Sequence, residues 1–383
     1  MRIAFDAKRA FENPTGLGHG CRTLITELAQ EFPQHEYYLM APKKTSLFKT
    51  SQWPFVHPVF PSGIAGLFGS LWRSNWVKND LKKLNIDLYH GWSHEIPVGI
   101  QNTGIKTAVT IHDLIFERYP THYKAPDVAI YRKKFKYSCT HADKIIAVSE
   151  QTKRDLIDLY KVPEEKIVVW YQSCDPIYEQ KVSEAEMKRI KQKYKLPDQF
   201  FLSVGSIIER KNLLTTCKAF NLLKDKMDVP LYIIGKGGAY EAKVRSYIQQ
   251  NGLQDRVHFF EDEEEIKNDT DYKSSKDFPA IYQQALGTLY PSIFEGFGIP
   301  VVEALWSGSP VITSNTSCLP ETGGDAAILV NPMSEQEIAD ALYKIATDAT
   351  LRQGMIEKGY QHAQLFQSNR VARHMMQIYE SVV

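Results

Sequence analysis

Residues 285–303 read ALGTLYPSIFEGFGIPVVE. The apolar run 285–290 predicts a buried strand, and the glycines at 296 and 298 predict a loop after it. Pro300 suits the first turn of a helix, where a missing N–H group costs nothing. The stretch therefore predicts a strand, a loop and a helix, which is the repeating unit of a parallel sheet covered by helices.

The start of this predicted helix is suited to an anion. Backbone N–H groups point out of a helix N-terminus, and the helix dipole favours a phosphate there. Glycines on both sides of an aromatic residue leave the backbone bare for close approach of a ligand. The residues whose N–H groups would face such a ligand are Gly296, Phe297, Gly298 and Ile299.

Two carboxylates, Glu295 and Glu303, flank the predicted anion site. Because both are negative, their natural partners are hydroxyl groups and not phosphates. A ligand that carries phosphate together with many hydroxyls is a sugar nucleotide. The alternative is that Glu303 only complements the helix dipole and that Glu295 is a solvated loop residue.

Strand-like apolar runs alternate with helical patterns along the whole chain, which predicts parallel sheets with helices on both faces. In the first half the predicted strands are residues 1–5, 37–40, 88–90, 107–111, 144–148 and 166–169. In the second half they are residues 201–204, 231–234, 257–260, 287–290 and 310–313. We therefore predict an α/β protein with two doubly wound, Rossmann-like parallel-sheet domains that face a cleft.

The length of 383 residues suits two domains. The predicted parts are an N-terminal domain over 1–175, an interdomain linker over 176–198, a C-terminal domain over 199–366 and a final helix over 367–383. Val371, Met375 and Ile378 lie at helical spacing in that tail, which predicts a core-facing stripe. The polar segment 261–277 is predicted to be a surface excursion.

Composition excludes several classes of protein. No run of about 18 apolar residues occurs, so no bilayer span is predicted. Five cysteines lie far apart without metal-ligand spacing, and the chain enters a predicted strand at once, which together favour a reducing cytoplasm. No basic stripe with interleaved aromatic residues occurs, which argues against a nucleic-acid partner.

Charge is unevenly distributed along the chain. Residues 1–175 hold 23 Lys and Arg against 18 Asp and Glu, whereas the remainder holds 23 against 27. A basic half suits phospholipid headgroups or a lipid-phosphate acceptor, although simple scatter explains the difference equally well. Residues 64–78 and 131–136 carry aromatic and basic side chains that predict peripheral membrane association, unless they are ordinary amphipathic helices.

The sequence PSIFEGFGIPVVEA at 291–304 resembles the signature of the retaining glycosyltransferases of family 4, in which seven residues separate two glutamates. It looks most like bacterial mannosyltransferases that use GDP-mannose for cell-surface polysaccharide. The resemblance implies a GT-B fold, retention of the anomeric configuration, and a last helix that crosses back to the N-terminal domain.

Glycines follow the first predicted strand, at residues 15–20, before a predicted helix over 21–32. Glycines between a parallel strand and a helix let the backbone approach a diphosphate, although turns need glycine in any case. In the resembled family this loop faces the donor phosphates and the acceptor. The resemblance therefore implies that Gly16 and Gly18 bind the donor.

His112 follows the predicted strand 107–111. A single histidine at a strand end is more often structural than functional. The resemblance implies that this histidine contacts the transferred sugar. Whether its imidazole donates to a hydroxyl or supports positive charge stays open at the level of sequence.

Arg210 and Lys211 follow Gly205 and can bind a pyrophosphate, the first through a planar fork and the second as a point charge. The alternative is a solvated helix start. The segment resembles the Arg-Lys-Asn phosphate clamp of the family, with one departure: many relatives have arginine where this chain has Ser206. Gly235 closes the next strand, in a loop that commonly borders the nucleotide.

The expected function is retaining, metal-independent hexosyl transfer, with GDP-mannose as the favoured donor and a glycan or lipid-linked acceptor. The predicted catalytic residues are His112, Glu295, Arg210 and Lys211. Glu303 is expected to bind the ribose. No cofactor or metal ion is expected, because cationic side chains are available for the diphosphate. The alternatives are a UDP-sugar-dependent transferase of the same fold, a nucleotide-sugar epimerase and a non-catalytic sugar-binding protein.

Overall fold

The computed structural model describes residues 1–383, with the side chain of Glu265 excepted. The described chain divides into two compact units. The N-terminal unit comprises Met1–Cys174 and Gln367–Val383, and the C-terminal unit comprises Asp175–Phe366. The segment predicted as a linker contains the helix Glu184–Lys193, which buries Ile190 in the C-terminal unit.

The N-terminal unit is built on a parallel sheet. Its strands are β1 (Arg2–Asp6), β2 (Glu36–Met40), β3 (Val56–Val59), β4 (Leu88–Gly91), β5 (Lys106–Ile111), β6 (Lys144–Ala147) and β7 (Ile167–Val169). Their order is β3-β2-β1-β4-β5-β6-β7, and the paired strands are parallel. Because the strand order reverses between β1 and β4, these two strands flank the switch point where ligands of such sheets bind.

Helices connect the strands of the N-terminal unit. They are Lys8–Glu12, Gly16–Glu31, Ile64–Leu67, Gly69–Leu71, Val77–Lys83, Ile115–Arg118, Ala125–His141, Glu150–Tyr160 and Ser368–Glu380, with a π-helical turn at Trp72–Trp76. The C-terminal helix belongs to this unit through specific contacts. Its Tyr379 hydroxyl lies 2.6 Å from His90 Nδ1, and Trp170 Nε1 donates to Val371 O at 2.9 Å.

The C-terminal unit repeats the plan with a second parallel sheet. Its strands are β8 (Phe201–Val204), β9 (Leu231–Ile234), β10 (Val257–Phe259), β11 (Gly287–Tyr290), β12 (Val311–Ser314) and β13 (Ala327–Val330). The order is β10-β9-β8-β11-β12-β13, so the switch point lies between β8 and β11. The predicted fold class, two doubly wound parallel sheets, is confirmed.

Helices alternate with these strands as well. They are Glu184–Lys193, Leu213–Leu222, Ala239–Gln250, Glu264–Lys267, Thr270–Lys273, Phe278–Gln284, Ile299–Trp306, Leu319–Gly323, Glu335–Thr347 and Ala349–Ala363. The core of the unit includes Phe201, Leu231, Leu289 and Ile312, which are fully buried on neighbouring strands. Their burial explains why these strands have the near-continuous apolar sequences of parallel sheets.

The sequence patterns do not predict two strands, β3 and β13, and both lie at sheet edges. β3 contains Pro58, which cannot donate to a ladder and which weakens any strand signal. β13 is only partly buried, with Leu329 exposed, so its sequence lacks the signature of a central strand.

Most of the described side chains in residues 261–277 are exposed, as the polarity of the segment predicts. The segment contains the helices Glu264–Lys267 and Thr270–Lys273, and Asp277 is buried. Asp277 Oδ2 accepts hydrogen bonds from Lys193 Nζ at 2.5 Å and from the Tyr194 hydroxyl at 2.7 Å. These hydrogen bonds attach the segment to residues about 80 positions earlier in the chain, which its polarity does not predict.

Candidate functional site

The predicted anion-binding residues follow the two strands that flank the switch point of the C-terminal sheet. Gly205 and the helical turn Glu209–Lys211 follow β8, and residues 291–298 follow β11. The two loops are joined by the backbone, because Ile293 N donates to Arg210 O at 2.8 Å. The structure therefore places the predicted clamp beside the predicted anion loop.

Gly205 and Gly235 come together at the ends of neighbouring strands. Their φ angles are +142° and +149°, in the region that favours glycine. A Cβ atom at Gly235 would lie 1.9 Å from Gly205 O, so a side chain cannot be accommodated there. A small cavity beside these glycines is lined by Ser206, Lys211 and Tyr290. The backbone is thus bare where the sequence predicts the donor.

Glu295 is the centre of a buried ion cluster. Its Oε1 lies 2.6 Å from Arg210 Nη1 and 2.7 Å from Lys211 Nζ. Burial alone would raise the pKa of Glu295, but Lys211 and Arg210 hold that pKa below its ordinary value. Burial lowers the pKa of Lys211, and the negative charge of Glu295 opposes that shift. With two positive charges and one negative, the cluster is net cationic and suits a polyanion.

Asn212 attaches this cluster to the rest of the unit. It is buried with a left-handed φ of 64°. Its Nδ2 donates to Pro291 O at 3.1 Å and to Pro332 O at 2.6 Å, while Thr215 Oγ1 donates to its Oδ1. The sequence places Asn212 next to the clamp but does not predict that its side chain joins the loops after β11 and β13.

Side chains from residues 317–322 hold the loop that contains Glu295. Glu295 N donates to Ser317 Oγ at 3.2 Å, and Cys318 Sγ donates to Glu295 O at 3.2 Å. Thr322 Oγ1 donates to Phe297 O at 2.6 Å, and the ring of Phe297 is buried. Phe297 therefore anchors the loop with its side chain, while its backbone belongs to the predicted anion site.

The helix Ile299–Trp306 begins directly after Gly298, as the sequence predicts. Gly298 has a φ of 103°, and a Cβ atom there would lie 2.9 Å from Leu319 Cδ2. This left-handed residue turns the chain from Gly296 into the helix. Within the first turn Pro300 has no N–H group and Val301 N donates to Gly298 O at 2.9 Å, which leaves the Ile299 N–H group for an anion.

Glu303 lies one turn into this helix and is half-buried. Its Oε2 accepts a hydrogen bond from the Tyr282 hydroxyl at 2.9 Å. Burial raises the pKa of Glu303 to about 7, although the Tyr282 hydrogen bond opposes the shift. Near neutral pH this carboxyl group therefore exchanges between a neutral and an ionised form. The sequence does not predict the contribution of Tyr282.

Gly16 and Gly18 lie in the first turn of the helix Gly16–Glu31, so the predicted loop over 15–20 was wrong. The helix starts early because Thr15 has the extended backbone of an N-cap residue. A Cβ atom at Gly18 would lie 1.8 Å from Asn13 O, whereas the space around Gly16 is open. Gly18 is thus required for packing against the C-terminal end of the helix Lys8–Glu12, and Gly16 leaves its surface bare.

His112 lies buried directly after β5. Its Nε2 is 2.9 Å from the carbonyl oxygen of Trp92, so Nε2 carries the proton and donates. Burial lowers the pKa of His112 to about 4, which keeps the ring neutral at physiological pH. Nδ1 has no hydrogen-bond partner within the described chain. It is therefore an acceptor for a hydroxyl group.

Trp92 and His94 complete the surroundings of His112, and the sequence does not predict either. Both follow β4, across the switch point from β1. Trp92 Nε1 donates to Leu17 O at 3.1 Å, which connects the ring beside His112 to the glycine-rich helix start. His94 Nδ1 accepts from His112 N at 3.3 Å. The sequence feature that could have indicated them is a tryptophan and a histidine shortly after the predicted strand 88–90.

Within the described residues, no group of three or more His, Cys, Asp or Glu side chains is arranged to bind a metal ion. Asp269, in the Asp-Thr-Asp triplet of the polar segment, caps the helix Thr270–Lys273 and pairs with Lys193 at 2.6 Å. No helix in the described chain has both the length and the apolar character needed to cross a membrane.

Two family models match consecutive parts of the chain. The model described as "Glycosyltransferase Family 4" matches residues 14–176, and the one described as "Glycosyl transferases group 1" matches residues 185–362. The first match covers most of the N-terminal sheet and His112. The second covers the Arg210, Lys211 and Glu295 cluster together with Glu303.

Similar proteins agree with these matches. O-antigen chain mannosyltransferase B of Escherichia coli is 27% identical over 297 residues, which cover 77% of this chain and 73% of the relative. The serotype-specific mannosyltransferase WbdA of Escherichia coli is 25% identical over 266 residues, but these cover 68% of this chain and only 31% of WbdA. The crystal structure of Anabaena HepE in complex with UDP superposes over 100% of both chains with a TM-score of 0.73 and 17% identity. This chain belongs to the family-4 glycosyltransferases and has a GT-B fold.

Proposed function

We propose that this protein is a retaining glycosyltransferase that moves mannose from GDP-mannose to a glycan or lipid-linked acceptor in cell-surface polysaccharide synthesis. The observation that carries the proposal is the buried, net cationic cluster of Arg210, Lys211 and Glu295 beside a helix N-terminus. A nucleotide diphosphate is the polyanion that this cluster suits. The mannosyltransferase names of two relatives support mannose as the sugar.

Transfer requires the bond between the anomeric carbon and the diphosphate to break, and negative charge then collects on the leaving phosphate. Arg210, Lys211 and the N-terminus of the helix Ile299–Trp306 neutralise that charge in this proposal. The acceptor hydroxyl attacks on the face that the phosphate leaves, and its proton passes to a phosphate oxygen. Configuration is therefore retained. Because the protein supplies the cations, a chelator such as EDTA leaves the rate unchanged.

The remaining predicted residues bind hydroxyl groups in this scheme. Glu303 accepts hydrogen bonds from the ribose. Glu295 contacts the transferred sugar and keeps its ion pairs with Arg210 and Lys211. His112 Nδ1 accepts from a hydroxyl of the transferred sugar, because Nε2 is already committed to Trp92. Gly16 and Gly205 leave room for the substrate, because a Cβ atom there would meet no close neighbour, whereas Gly18 and Gly235 are required by contacts within the protein.

A donor screen tests the proposal. Thermal shift with GDP-mannose, GDP-fucose, UDP-glucose and UDP-N-acetylglucosamine identifies the base and sugar that stabilise the folded protein. We expect the largest shift with GDP-mannose, followed by release of GDP that depends on a glycolipid acceptor. Release of GDP without any acceptor product would contradict a transferase. An unchanged melting temperature with every nucleotide sugar would contradict a donor site altogether.

A UDP-sugar donor is the second candidate. HepE, which shares the fold at 17% identity, was solved with UDP bound. The same cluster would serve either diphosphate. Stabilisation by UDP-sugars and not by GDP-mannose would select this candidate over the mannose assignment.

The raised pKa of Glu303 makes donor binding pH-dependent. An ionised carboxylate accepts two ribose hydrogen bonds, whereas the neutral form has to use its own proton as a donor. Affinity for the intact nucleotide sugar should therefore rise about threefold to tenfold between pH 6 and pH 8, through the pKa of about 7. Isothermal titration measures this change, and the doubly esterified diphosphate does not titrate in the same range.

Glu303→Gln is the matched variant for this measurement. It keeps the shape of the side chain and cannot ionise, so its affinity should not vary with pH. A variant that retains the full pH dependence would show that another group is responsible for it.

We also propose that the protein acts in the cytoplasm and associates peripherally with an anionic membrane. Five large apolar side chains within residues 47–71 are between 44% and 80% exposed. They are Leu47, Ile64, Leu67, Phe68 and Leu71. Three lysines near Leu47, at positions 43, 44 and 49, are exposed and form no ion pair within the described chain. Apolar groups next to unpaired cations are what an anionic lipid surface attracts.

The segments that carry this surface are packed together. The ring of Phe11 contacts both Phe48 and Phe60, at centroid distances of 5.9 and 5.4 Å. A Cβ atom at Gly69 would lie 3.2 Å from Pro42 Cβ, so the lysine-containing loop touches the apolar helical segment. The second basic cluster, at 131–136, is partly neutralised because Arg132 pairs with Glu117 and Lys134 with Glu95.

The double substitution Leu67→Ser and Phe68→Ser should weaken sedimentation with anionic vesicles at least about tenfold, because two exposed apolar side chains are lost. Met333→Ser is the control, since Met333 is as exposed but lies in the other unit. Vesicles of phosphatidylglycerol are compared with phosphatidylcholine at low salt. Equal sedimentation of both variants, or no binding by the parent protein, would contradict membrane association.

A further inference from the structure

Tyr290 is the last residue of β11 and lies under the ammonium group of Lys211. Its side chain is 4% exposed. Lys211 Nζ is 4.5 Å from the centroid of the Tyr290 ring and donates a hydrogen bond to the Tyr290 hydroxyl. Both side chains line the small cavity that is also lined by Gly205 and Ser206. Tyr290 therefore contacts Lys211 at the small cavity that both side chains line.

The hydrogen bonds of Lys211 can be counted. An ammonium group has three N–H donors and no acceptor. One N–H donates to the Tyr290 hydroxyl, and the ion pair with Glu295 Oε1, at 2.7 Å, restrains the ammonium group from a second side. Tyr290 and Glu295 together therefore hold the ammonium group in place, with a remaining N–H donor toward the small cavity.

The phenol stays neutral beside these charged groups. Burial raises the pKa of Tyr290 well above its ordinary value, and the nearby charge of Glu295 acts in the same direction. The hydroxyl therefore stays protonated and accepts from Lys211. The titratable groups around the Lys211 ammonium are Arg210, Glu295 and Cys318, together with Tyr290.

We propose that Tyr290 is a positioning residue, whose hydroxyl holds Lys211 so that its remaining N–H donor faces the diphosphate of the substrate. This inference rests on the proposed function, because it takes the diphosphate as the ligand of Lys211. The ring alone would pack in the same place. The hydroxyl is the group that distinguishes a positioning role from packing.

Tyr290→Phe removes this hydroxyl and keeps the ring. Binding of GDP and of UDP, measured by isothermal titration, should weaken about fivefold to tenfold through loss of one oriented, charge-assisted contact. The phenol stabilises the charged form of Lys211, so its loss should also move the alkaline decline of nucleotide binding to lower pH. Tyr194→Phe is the control, because it removes a buried, hydrogen-bonded hydroxyl that contacts Asp277 and not the clamp.

A double-mutant cycle separates positioning from direct contact. In a Lys211→Met background, Tyr290→Phe should cause no further loss of GDP or UDP affinity. An equal loss in that background would overturn the proposal, because Tyr290 would then act without the lysine. Unchanged affinity and an unchanged pH profile in Tyr290→Phe alone would overturn it as well.

A second readout needs no nucleotide. The side-chain titration of Lys211 in isotope-labelled, ligand-free protein reports the environment of its ammonium group directly by NMR. We expect a lower pKa for Lys211 in Tyr290→Phe than in the parent protein and in Tyr194→Phe. An unaltered titration would overturn the positioning role, whereas absence of nucleotide binding by the parent protein would overturn the proposed function alone.

Discussion

Lys211→Ala should slow sugar transfer at least about 100-fold, because about 3 kcal/mol of charge-assisted stabilisation of the leaving diphosphate is lost. The Lys211 side chain is 18% exposed, and its ammonium group lies 2.7 Å from Glu295 Oε1. Its removal leaves Arg210 to balance Glu295, so the cluster changes from net cationic to neutral. The rate of nucleotide release at saturating glycolipid acceptor measures the effect.

Lys218→Ala is the matched control for this substitution. Lys218 lies on the helix Leu213–Leu222 and pairs with Glu335 on a partly exposed surface, where an ion pair contributes little. Its rate should stay within about twofold of the parent rate. If the two variants transferred sugar at the same rate, the cluster would not be the phosphate site.

Glu295→Gln should have opposite effects on binding and on transfer. Without the carboxylate, Arg210 and Lys211 lose their internal counter-charge, and free GDP or UDP should bind about threefold to tenfold more tightly. Transfer should nevertheless fall about 100-fold, since the two cations are no longer oriented and the sugar loses a partner. Isothermal titration and nucleotide-release assays on one preparation measure the two effects.

Glu335→Gln serves as the control for this variant, because it removes a carboxylate of the same unit that pairs with Lys218. Neither affinity nor rate should change in it. Weaker binding of the free nucleotide by Glu295→Gln would contradict the view that Glu295 neutralises the clamp in the ligand-free protein.

Much of the fold could be predicted because its central strands are buried on both faces. The predicted strands 201–204, 231–234 and 287–290 coincide with β8, β9 and β11, which are apolar runs bounded by glycine or proline. β3, which contains Pro58, and β13, which is only partly buried, lack that signature and were not predicted, whereas the edge strands β7 and β10 were. The polar segment 261–277 is mostly exposed as predicted, but the attachment of its buried Asp277 to residues about 80 positions earlier could not be predicted.

The candidate site could be predicted in its residues but not in its contacts. Glycines, a proline and adjacent cations at strand ends indicated Gly205, Arg210, Lys211 and Glu295. That Glu295 pairs with both cations depends on the neighbourhood of β8 and β11 in the sheet, which sequence spacing does not contain. The sequence does not predict a role for Tyr290, because a tyrosine at the end of a buried strand has the pattern of an ordinary core residue.

The most direct test of the account is NMR of a single reaction mixture that contains the protein, GDP-mannose, a glycolipid acceptor and EDTA. The account predicts a mannosyl product with the anomeric configuration of the donor, identified by its one-bond carbon–proton coupling, and GDP in equal amount. An inverted product, or transfer only after a divalent metal ion is restored, would contradict it.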